Sequence, residues 1–329
     1  MIRALTDLAQ RALIHWELAD ADLHLLKFRE NAVFKVTAPD RQRYVLRLHR
    51  PGYHSIAAIN SELEWMAALA QAGLDVPQVV PTCSGRLYVE VSHADVAGTR
   101  VVDVLEWVAD ETLRDRIEQE TKTNNLDPIV ALIGQAGELM ARLHNHTQVW
   151  KAPAGLERHA WDTVGLVGEA PFWGRFWEFE QLTPDQKRLM VAVRDRLRQD
   201  LADFPRTADT YGLIHADFNL DNLLVDGDRL RVIDFDDAGF GWHLFDIATM
   251  LVRFEGERYE AAGREAFFAG YRQHRPLSAD HLAHLPLFVT ARQLTYLGWA
   301  QDRQEIPEIR QRGKGLIAAA VAAAETYMQ

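Results

Sequence analysis

The sequence predicts an α+β protein of two lobes, a small antiparallel sheet lobe followed by a larger, mainly helical one. Three observations carry that prediction. The chain has 329 residues, longer than a single hydrophobic core usually serves. Over residues 23–91 the apolar positions fall in short β-branched or aromatic runs with one helical pattern among them, and after Val108 they recur at the spacing of long helices. A single strand-rich island, residues 211–237, interrupts those helices. The boundary is expected between a first lobe of residues 1–104 and a second of residues 105–329.

Composition narrows the function classes. A hydrophobic fraction of 48% and a charged fraction of 25% are those of an ordinary globular protein. Thirty-six basic residues against 47 acidic ones give a formal charge of −11, which argues against nucleic acid as a partner, because a phosphate backbone needs clustered Lys and Arg. The lone cysteine, Cys83, forms no internal disulfide and no zinc pattern, which suits a reducing compartment and a cytoplasmic location. Leu5, Leu8, Ala9, Ala12 and Leu13 stand at helical spacing but are interrupted by Arg3, Asp7, Gln10 and Arg11, unlike the apolar region of a signal peptide. The longest strongly apolar stretch, residues 316–324, is far short of the roughly 20 residues of a membrane span, so no crossing is expected.

In the first lobe, residues 33–36 and 44–48 flank the turn signal Ala38-Pro39-Asp40 and read as a hairpin. Ile59, Leu63, Met66, Ala67, Leu69 and Ala70 follow a helical period, and Gly73 ends that helix. Residues 87–91 and 100–107 read as two more strands turning at Gly98. In the second lobe, Asp127-Pro128 is an N-cap followed by proline at the first helical position, ahead of the stripe Ile129, Leu132, Ile133, Ala136, Leu139, Met140 and Leu143. Thr183-Pro184 repeats the device before Leu189, Met190, Val193, Leu197 and Leu201. Further helices are expected over residues 244–254, 257–274, 278–301 and 308–328.

The island holds the chemistry. Leu223-Leu224-Val225 and Leu230-Arg231-Val232-Ile233 read as strands joined by the turn Asp226-Gly227-Asp228. Asn222 precedes the first strand and Asp234 follows the second, so antiparallel pairing brings the two to one end of the hairpin. Directly opposed side chains have Cβ atoms about 4.5–5.5 Å apart, close enough for an amide oxygen and a carboxylate to share a cation. Magnesium suits such a pair, because it takes few protein oxygens and completes its shell with water and phosphate.

Asp217 stands five residues before Asn222 in His215-Ala216-Asp217-Phe218-Asn219-Leu220-Asp221-Asn222, the H-x-D-x-x-x-x-N spacing of a kinase catalytic loop. Ile233-Asp234-Phe235 sits where the metal-binding D-F-G motif follows. With residues 232–241 and Phe245-Asp246-Ile247-Ala248, the chain resembles the aminoglycoside phosphotransferase and choline kinase superfamily, and within it the branch of homoserine kinase and the bacterial stress-response kinases. The resemblance covers roughly residues 22–299 and implies a protein-kinase-like two-lobe fold that uses ATP and Mg²⁺. It implies that Asp217 orients or deprotonates the acceptor hydroxyl, while Asn222 and Asp234 hold magnesium on the phosphates. Asp246 resembles the buried aspartate that caps amides of the catalytic loop. His215, flanked by Leu213 and Ile214, reads as a loop anchor through ring hydrogen bonds. Asp236 stands where the motif has glycine; it and Asp237 read equally as a second metal or acceptor contact and as exposed acids.

The same resemblance assigns residues 1–104 to the nucleotide and residues 105–329 to catalysis and the acceptor. Arg47 in Tyr44-Val45-Leu46-Arg47-Leu48 resembles the basic phosphate-pairing residue of the third strand, with Lys35 the next candidate. Glu62 resembles its helix partner and Glu64 competes for that place. No G-x-G-x-x-G is present; residues 28–34 stand in its place, with the amides near Asn31 and Ala32 as phosphate contacts. Adenine is expected against Leu105-Glu106-Trp107-Val108, bonded to the backbone of Glu106 and Val108, with core packing the other reading of Trp107.

Asp234 and Asp246 are only twelve positions apart, with no A-P-E element after them, so no peptide platform is expected and a small hydroxyl compound is favoured as the acceptor. Amino alcohols, homoserine-like amino acids and aminoglycosides are the candidates. The alternatives are a protein Ser/Thr kinase of the stress-response type, a metal-dependent phosphohydrolase on Asp234, Asp236 and Asp237, and a non-catalytic nucleotide-binding module. A helical insert over residues 150–182 is expected to shape acceptor specificity through Trp161, Asp162, Trp173 and Trp177, as receivers of an ammonium group or as ordinary helix packing.

Overall fold

The computed structural model describes residues 2–28, 31–122, 125–304 and 306–329. The chain forms two compact units, one of Met1–Glu111, Trp150–Arg158 and Leu224–Asp236, the other of Thr112–Val149, His159–Leu223 and Asp237–Gln329. The first unit begins with α1 (Ile2–Ala12), β1 (Asp22–Phe28), β2 (Ala32–Thr37), β3 (Arg43–Leu48), α2 (Ile56–Gln71), β4 (Val89–His93) and β5 (Val96–Glu106). Its strands form one antiparallel sheet in the order β1-β2-β3-β5-β4.

Leu5, Leu8, Ala9 and Ala12 of α1 form one core cluster with Phe34, Val36, Leu46, Leu48, Val102 and Val104 of the sheet. Side chains alternate across a strand, so the intervening Arg47 and Asp103 face the other way. The β3–β5 register sets them directly opposite each other. Helix α2 starts where Ser55 accepts a hydrogen bond from the Ala58 amide at 3.0 Å.

The β4–β5 connection differs from expectation. The turn is Ala94-Asp95, with His93 opposite Val96, and Gly98 lies inside β5 at φ +72° where the register shifts. A glycine in the left-handed region marks a bulge here, which sequence alone does not separate from a turn.

The second unit carries α3 (Leu113–Glu120), α4 (Asp127–Val149), β6 (Ala160–Trp161), α5 (Thr163–Val167), α6 (Pro184–Asp203) and β7 (Tyr211–Ile214). The hairpin β8 (Leu223–Asp226) and β9 (Arg229–Val232) follows, and from Leu224 it belongs to the first unit. The second unit resumes with β10 (Gly239–Trp242), α7 (His243–Leu251), α8 (Glu260–Arg272), α9 (Ala279–Ala283), α10 (Leu285–Gln301) and α11 (Pro307–Met328). Strands β6, β10 and β7 form a small sheet. Strand β10 was not expected: it reads Gly-Phe-Gly-Trp, and a Cβ on Gly241 would collide with Ile214 of β7.

Three further expectations change. The segment 150–182 is not a helical insert; among its described residues it holds α5, the two residues of β6 and a 3₁₀ turn at Phe176–Glu178. Pro153 and Pro171 lack amide donors, and Gly155 and Gly174 sit at φ +92° and +90°, so no continuous helix forms. The helix expected over residues 278–301 divides at His284, before Pro286 at the start of α10. Strand β9 ends at Val232, because Asp234 takes φ +66° and turns the chain out of the ladder.

Helices α4 and α8 cross backbone against backbone. A Cβ on Gly137 would strike the Phe267 carbonyl, and one on Gly270 the Gly134 carbonyl. This crossing brings His144 of α4 to Tyr271 of α8, ring Nδ1 to hydroxyl at 2.8 Å.

Candidate active site

The loop after β7 is held from below by α7. The Asp246 carboxylate accepts from the amides of His215 and Ala216, at 2.9 and 2.6 Å, and lies 3.0 Å from His144 Nε2. Burial lowers the basicity of His144, so its neutral ring donates from Nε2 to Asp246 and accepts from Tyr271 at Nδ1. Ala216 takes φ +63°, a left-handed conformation that costs an L-residue about 1–2 kcal/mol. The two-amide clamp of Asp246 compensates for that strain. Fully buried His215 accepts the Asp217 amide on Nδ1 at 3.3 Å, the anchoring expected of it.

Asp246→Ala is therefore expected to remove about 3–5 kcal/mol of stability, since it leaves two buried amides and an imidazole without their acceptor. Denaturant titration checks it; a midpoint equal to the parent's would show that the clamp is not needed.

Beyond the clamp the loop presents Asp217, whose side chain is 23% exposed. Its Oδ2 accepts from Asn222 Nδ2 at 2.8 Å and its Oδ1 from Arg292 Nη2 at 2.6 Å. Its carbonyl accepts from Asn222 Nδ2 at 2.9 Å and from Asn219 Nδ2 at 3.0 Å. The amide nitrogen of Asn222 is thus committed to Asp217, and Oδ1 is the atom it has left to offer.

In the first unit Arg47 is buried between two carboxylates. Its Nε and Nη2 reach the two oxygens of Asp103 at 2.9 and 3.1 Å, and Nη1 reaches Glu62 at 2.7 Å. The pairing with Glu62 is the one expected; Glu64 is half-buried on the same helix. Burial opposes the Arg47 charge, but Asp103 and Glu62 outweigh it and hold the guanidinium protonated. Burial likewise works against ionised Glu62 and Asp103, and Arg47 reverses it in both cases. Arg158 adds a second cation at Glu62, 3.5 Å away, and donates to the carbonyls of Phe235 and Asp236 at 3.3 and 2.5 Å. His49 closes on Asp103 at 2.5 Å.

Removing one member of a buried charge network leaves its partners uncompensated. Arg47→Met should therefore cost about 3–5 kcal/mol in denaturant stability, a folding defect beyond any loss of nucleotide affinity; an unchanged unfolding midpoint would count against the network.

Asp236 is buried, not an exposed acid. Its Oδ1 lies 3.9 Å from His49 Nδ1 and from His54 Nε2 and has no hydrogen-bond donor among the described residues. Burial, with the Glu62 charge adding to it, lifts its carboxyl to about 6. Asp237 is half-buried; its carboxylate accepts from Trp173 Nε1 at 3.1 Å and its carbonyl from Trp161 Nε1 at 2.8 Å. Among the described residues no group of three or more His, Cys, Asp or Glu is arranged to hold a metal ion. The Asp234 carboxylate has no hydrogen-bond or ion-pair partner among the described residues, and like Asn222 Oδ1 it is a hard oxygen donor of the kind magnesium takes.

The other expected positions are these. Asn31 Oδ1 accepts the Arg50 amide at 3.0 Å, and Ala32 is buried at the start of β2; Arg29 and Glu30 of the same stretch lie outside the described residues. The Glu106 amide is bound to the Gln78 carbonyl at 2.9 Å, and Val108 is half-buried. Trp107 is not core packing: Lys35 Nζ and the Arg43 guanidinium stand 4.4 and 5.3 Å from its ring centre, and Lys35 also pairs with Asp110. Trp161, Trp173 and Trp177 of the 150–182 segment are buried and covered. Arg292 stacks on Trp173 at 4.5 Å, Arg194 on Trp177 at 4.1 Å, and Trp161 packs among Phe172, Trp173 and Phe245.

Asp103, Arg158 and Arg292 were not read from sequence. Asp103 alone left a signal, one acid within the apolar run 101–105 at the alternate position to Val102 and Val104.

Comparison with known proteins bears on this arrangement. A family model described as the phosphotransferase enzyme family matches residues 26–279. A solved structure described as a microcompartment-associated aminopropanol kinase is 35% identical, with a TM-score of 0.84 over 98% of this chain and 97% of that one. Amicoumacin kinase of Bacillus subtilis (strain 168) is 25% identical over 88% of this chain and 82% of its own. Homoserine kinase of Methylobacillus flagellatus is 28% identical over 75% of this chain and 69% of its own.

Proposed function

The chain belongs to the phosphotransferase enzyme family, and from that premise we propose that it moves the γ-phosphate of ATP to the hydroxyl of a small amino alcohol. The observation that carries this reading is Asp217, a partly exposed carboxylate with each oxygen held by one donor on a loop clamped by Asp246. A carboxylate fixed in this way retains lone pairs for an acceptor hydroxyl. Asp217 takes the hydroxyl proton as the acceptor oxygen bonds to the γ-phosphorus. The bond from that phosphorus to the bridging oxygen breaks, and ADP leaves with the electron pair.

Magnesium, held by Asn222 and Asp234, would supply neutralisation of the phosphate charge. Arg47, oriented by Glu62 and Asp103, and the amides near Asn31 and Ala32 are assigned to the phosphates. The Glu106 carbonyl and the Val108 backbone are assigned to adenine, since the Glu106 amide is already bonded. Nucleotide binding is thus assigned to residues 1–104 and the acceptor to residues 105–329, with Glu106, Val108, Arg158, Asn222 and Asp234 added to the nucleotide side. The exposed, unpaired Cys83 and the absence of any described helix long and apolar enough to cross a membrane accord with a cytoplasmic setting.

An ammonium-bearing acceptor accords with half-buried Asp217 and Asp237 in the same unit, and with the similarity to an aminopropanol kinase. Its cation would meet these carboxylates, because the tryptophan faces are already covered. Calorimetry with MgATP, then phosphorus NMR of products across amino alcohols, homoserine and aminoglycosides, tests the reading. Phosphate-ester formation fastest with amino alcohols is expected. Absence of MgATP binding, or of any acceptor-dependent ADP release, would overturn it.

A further inference from the structure

We propose that Arg292 is a positioning residue for Asp217, a guanidinium held in an aromatic box so that its charge fixes the carboxylate from beneath the loop. The inference rests on the phosphotransferase reading. Arg292, on α10, is completely buried. Its guanidinium carbon lies 4.5 Å from the Trp173 ring centre, 4.2 Å from that of Tyr296 and 5.6 Å from that of Phe245. Three aromatic faces around one cation form the kind of cage that elsewhere receives a ligand's ammonium group; here the protein's own arginine fills it.

The hydrogen bonds leaving that box converge on the loop. Nη1 donates to the Ala216 carbonyl at 3.1 Å, while Nη2 donates to Asp217 Oδ1 at 2.6 Å and to the Tyr296 hydroxyl at 2.8 Å. One group therefore holds both the strained residue and the carboxylate that follows it. Burial works against the Arg292 charge, but the Tyr296 hydroxyl and the Asp217 carboxylate overcome it and keep the guanidinium protonated. Asp217 is the carboxylate it bonds. A buried cation is a costly way to fill space, and an apolar side chain would pack between Trp173 and Tyr296 without that cost.

Geometry gives the cost a use. Asn222 holds one oxygen of Asp217 and Arg292 the other, so neither carboxylate torsion is left free. Positioning to within about 0.5 Å is the tolerance of a reacting group, and a 1 Å error costs roughly 100-fold in rate. Without Arg292 the carboxylate would pivot about its remaining bond to Asn222.

The test compares parent, Arg292→Met, Arg292→Lys and Tyr296→Phe for turnover, KM for both substrates, MgATP affinity by calorimetry and thermal midpoint. Arg292→Met is expected to lower kcat by about 10- to 100-fold with MgATP affinity within about twofold of the parent. Arg292→Lys keeps the charge but not the fork, and should recover part of that loss. Tyr296→Phe keeps the ring, removes one acceptor of Nη2, and should lower kcat by about threefold even if Arg292→Met does not fold. Combining Arg292→Met with Asp217→Asn should cost little more than Asp217→Asn alone, because both changes act through one carboxylate. Parental kcat in folded Arg292→Met, or in Tyr296→Phe should Arg292→Met not fold, would overturn the proposal, as would additive losses in the double variant. Such results in an active parent would leave the phosphotransferase reading intact; a parent without phosphoryl transfer would remove both.

Discussion

Asp234→Ala is expected to lose MgATP binding and phosphoryl transfer together. Asp234 supplies the only formal charge of the proposed magnesium pair, and its carboxylate has no hydrogen-bond or ion-pair partner among the described residues. Little folding energy is therefore at stake. The cost to stability is that of placing alanine at φ +66°, about 1 kcal/mol, where aspartate is better tolerated. Mutating groups that merely support a metal ligand typically costs 10- to 100-fold in affinity, so loss of the ligand itself should cost about 100-fold or more. Asp234→Asn separates charge from shape, since asparagine accepts the left-handed conformation and keeps an oxygen. It should fold like the parent and still bind MgATP poorly. Normal MgATP affinity in either folded variant would place the metal elsewhere.

Asp217→Asn should fail differently. Its amide cannot take a proton, so turnover is expected to fall by about 10²- to 10⁴-fold. The substitution is not silent structurally, because both Asp217 oxygens accept a bond and asparagine has one oxygen. Buried Arg292 makes the stronger claim on that oxygen, which turns the new NH₂ group toward the Asn222 amide, donor against donor. MgATP affinity should accordingly weaken, but by no more than about tenfold, the scale of one neutral hydrogen bond. Calorimetry beside turnover on the same preparations distinguishes the two variants. Parental turnover in Asp217→Asn would remove Asp217 from the chemistry.

What could be read beforehand was what the chain encodes over short distances. The β2–β3 hairpin, helix α2, the cap at Thr183, and the spacing of His215, Asp217, Asn222 and Asp234 each lie within a few turns of chain. The pairing of Arg47 with Glu62 spans only 15 residues, and the clamp on the catalytic loop was expected of Asp246. Gly98 and the 150–182 segment were misread for a local reason as well. A glycine serves a turn or a bulge equally, and aromatic residues between prolines and glycines imitate an interrupted helix.

The sequence by itself determined most of the secondary elements, the family and the spacing of the loop residues, because these follow from periodicity, capping and motif spacing. Tertiary structure alone decided how those residues are held. Arg292 meets Asp217 across 75 residues, and Arg158 meets Glu62 across 96. Asp103 meets Arg47 only through strand register, and His144 meets Tyr271 where α4 crosses α8 on glycines. Each is a buried polar group whose partner is fixed by packing, and no periodicity along the chain records which distant side chain will satisfy it.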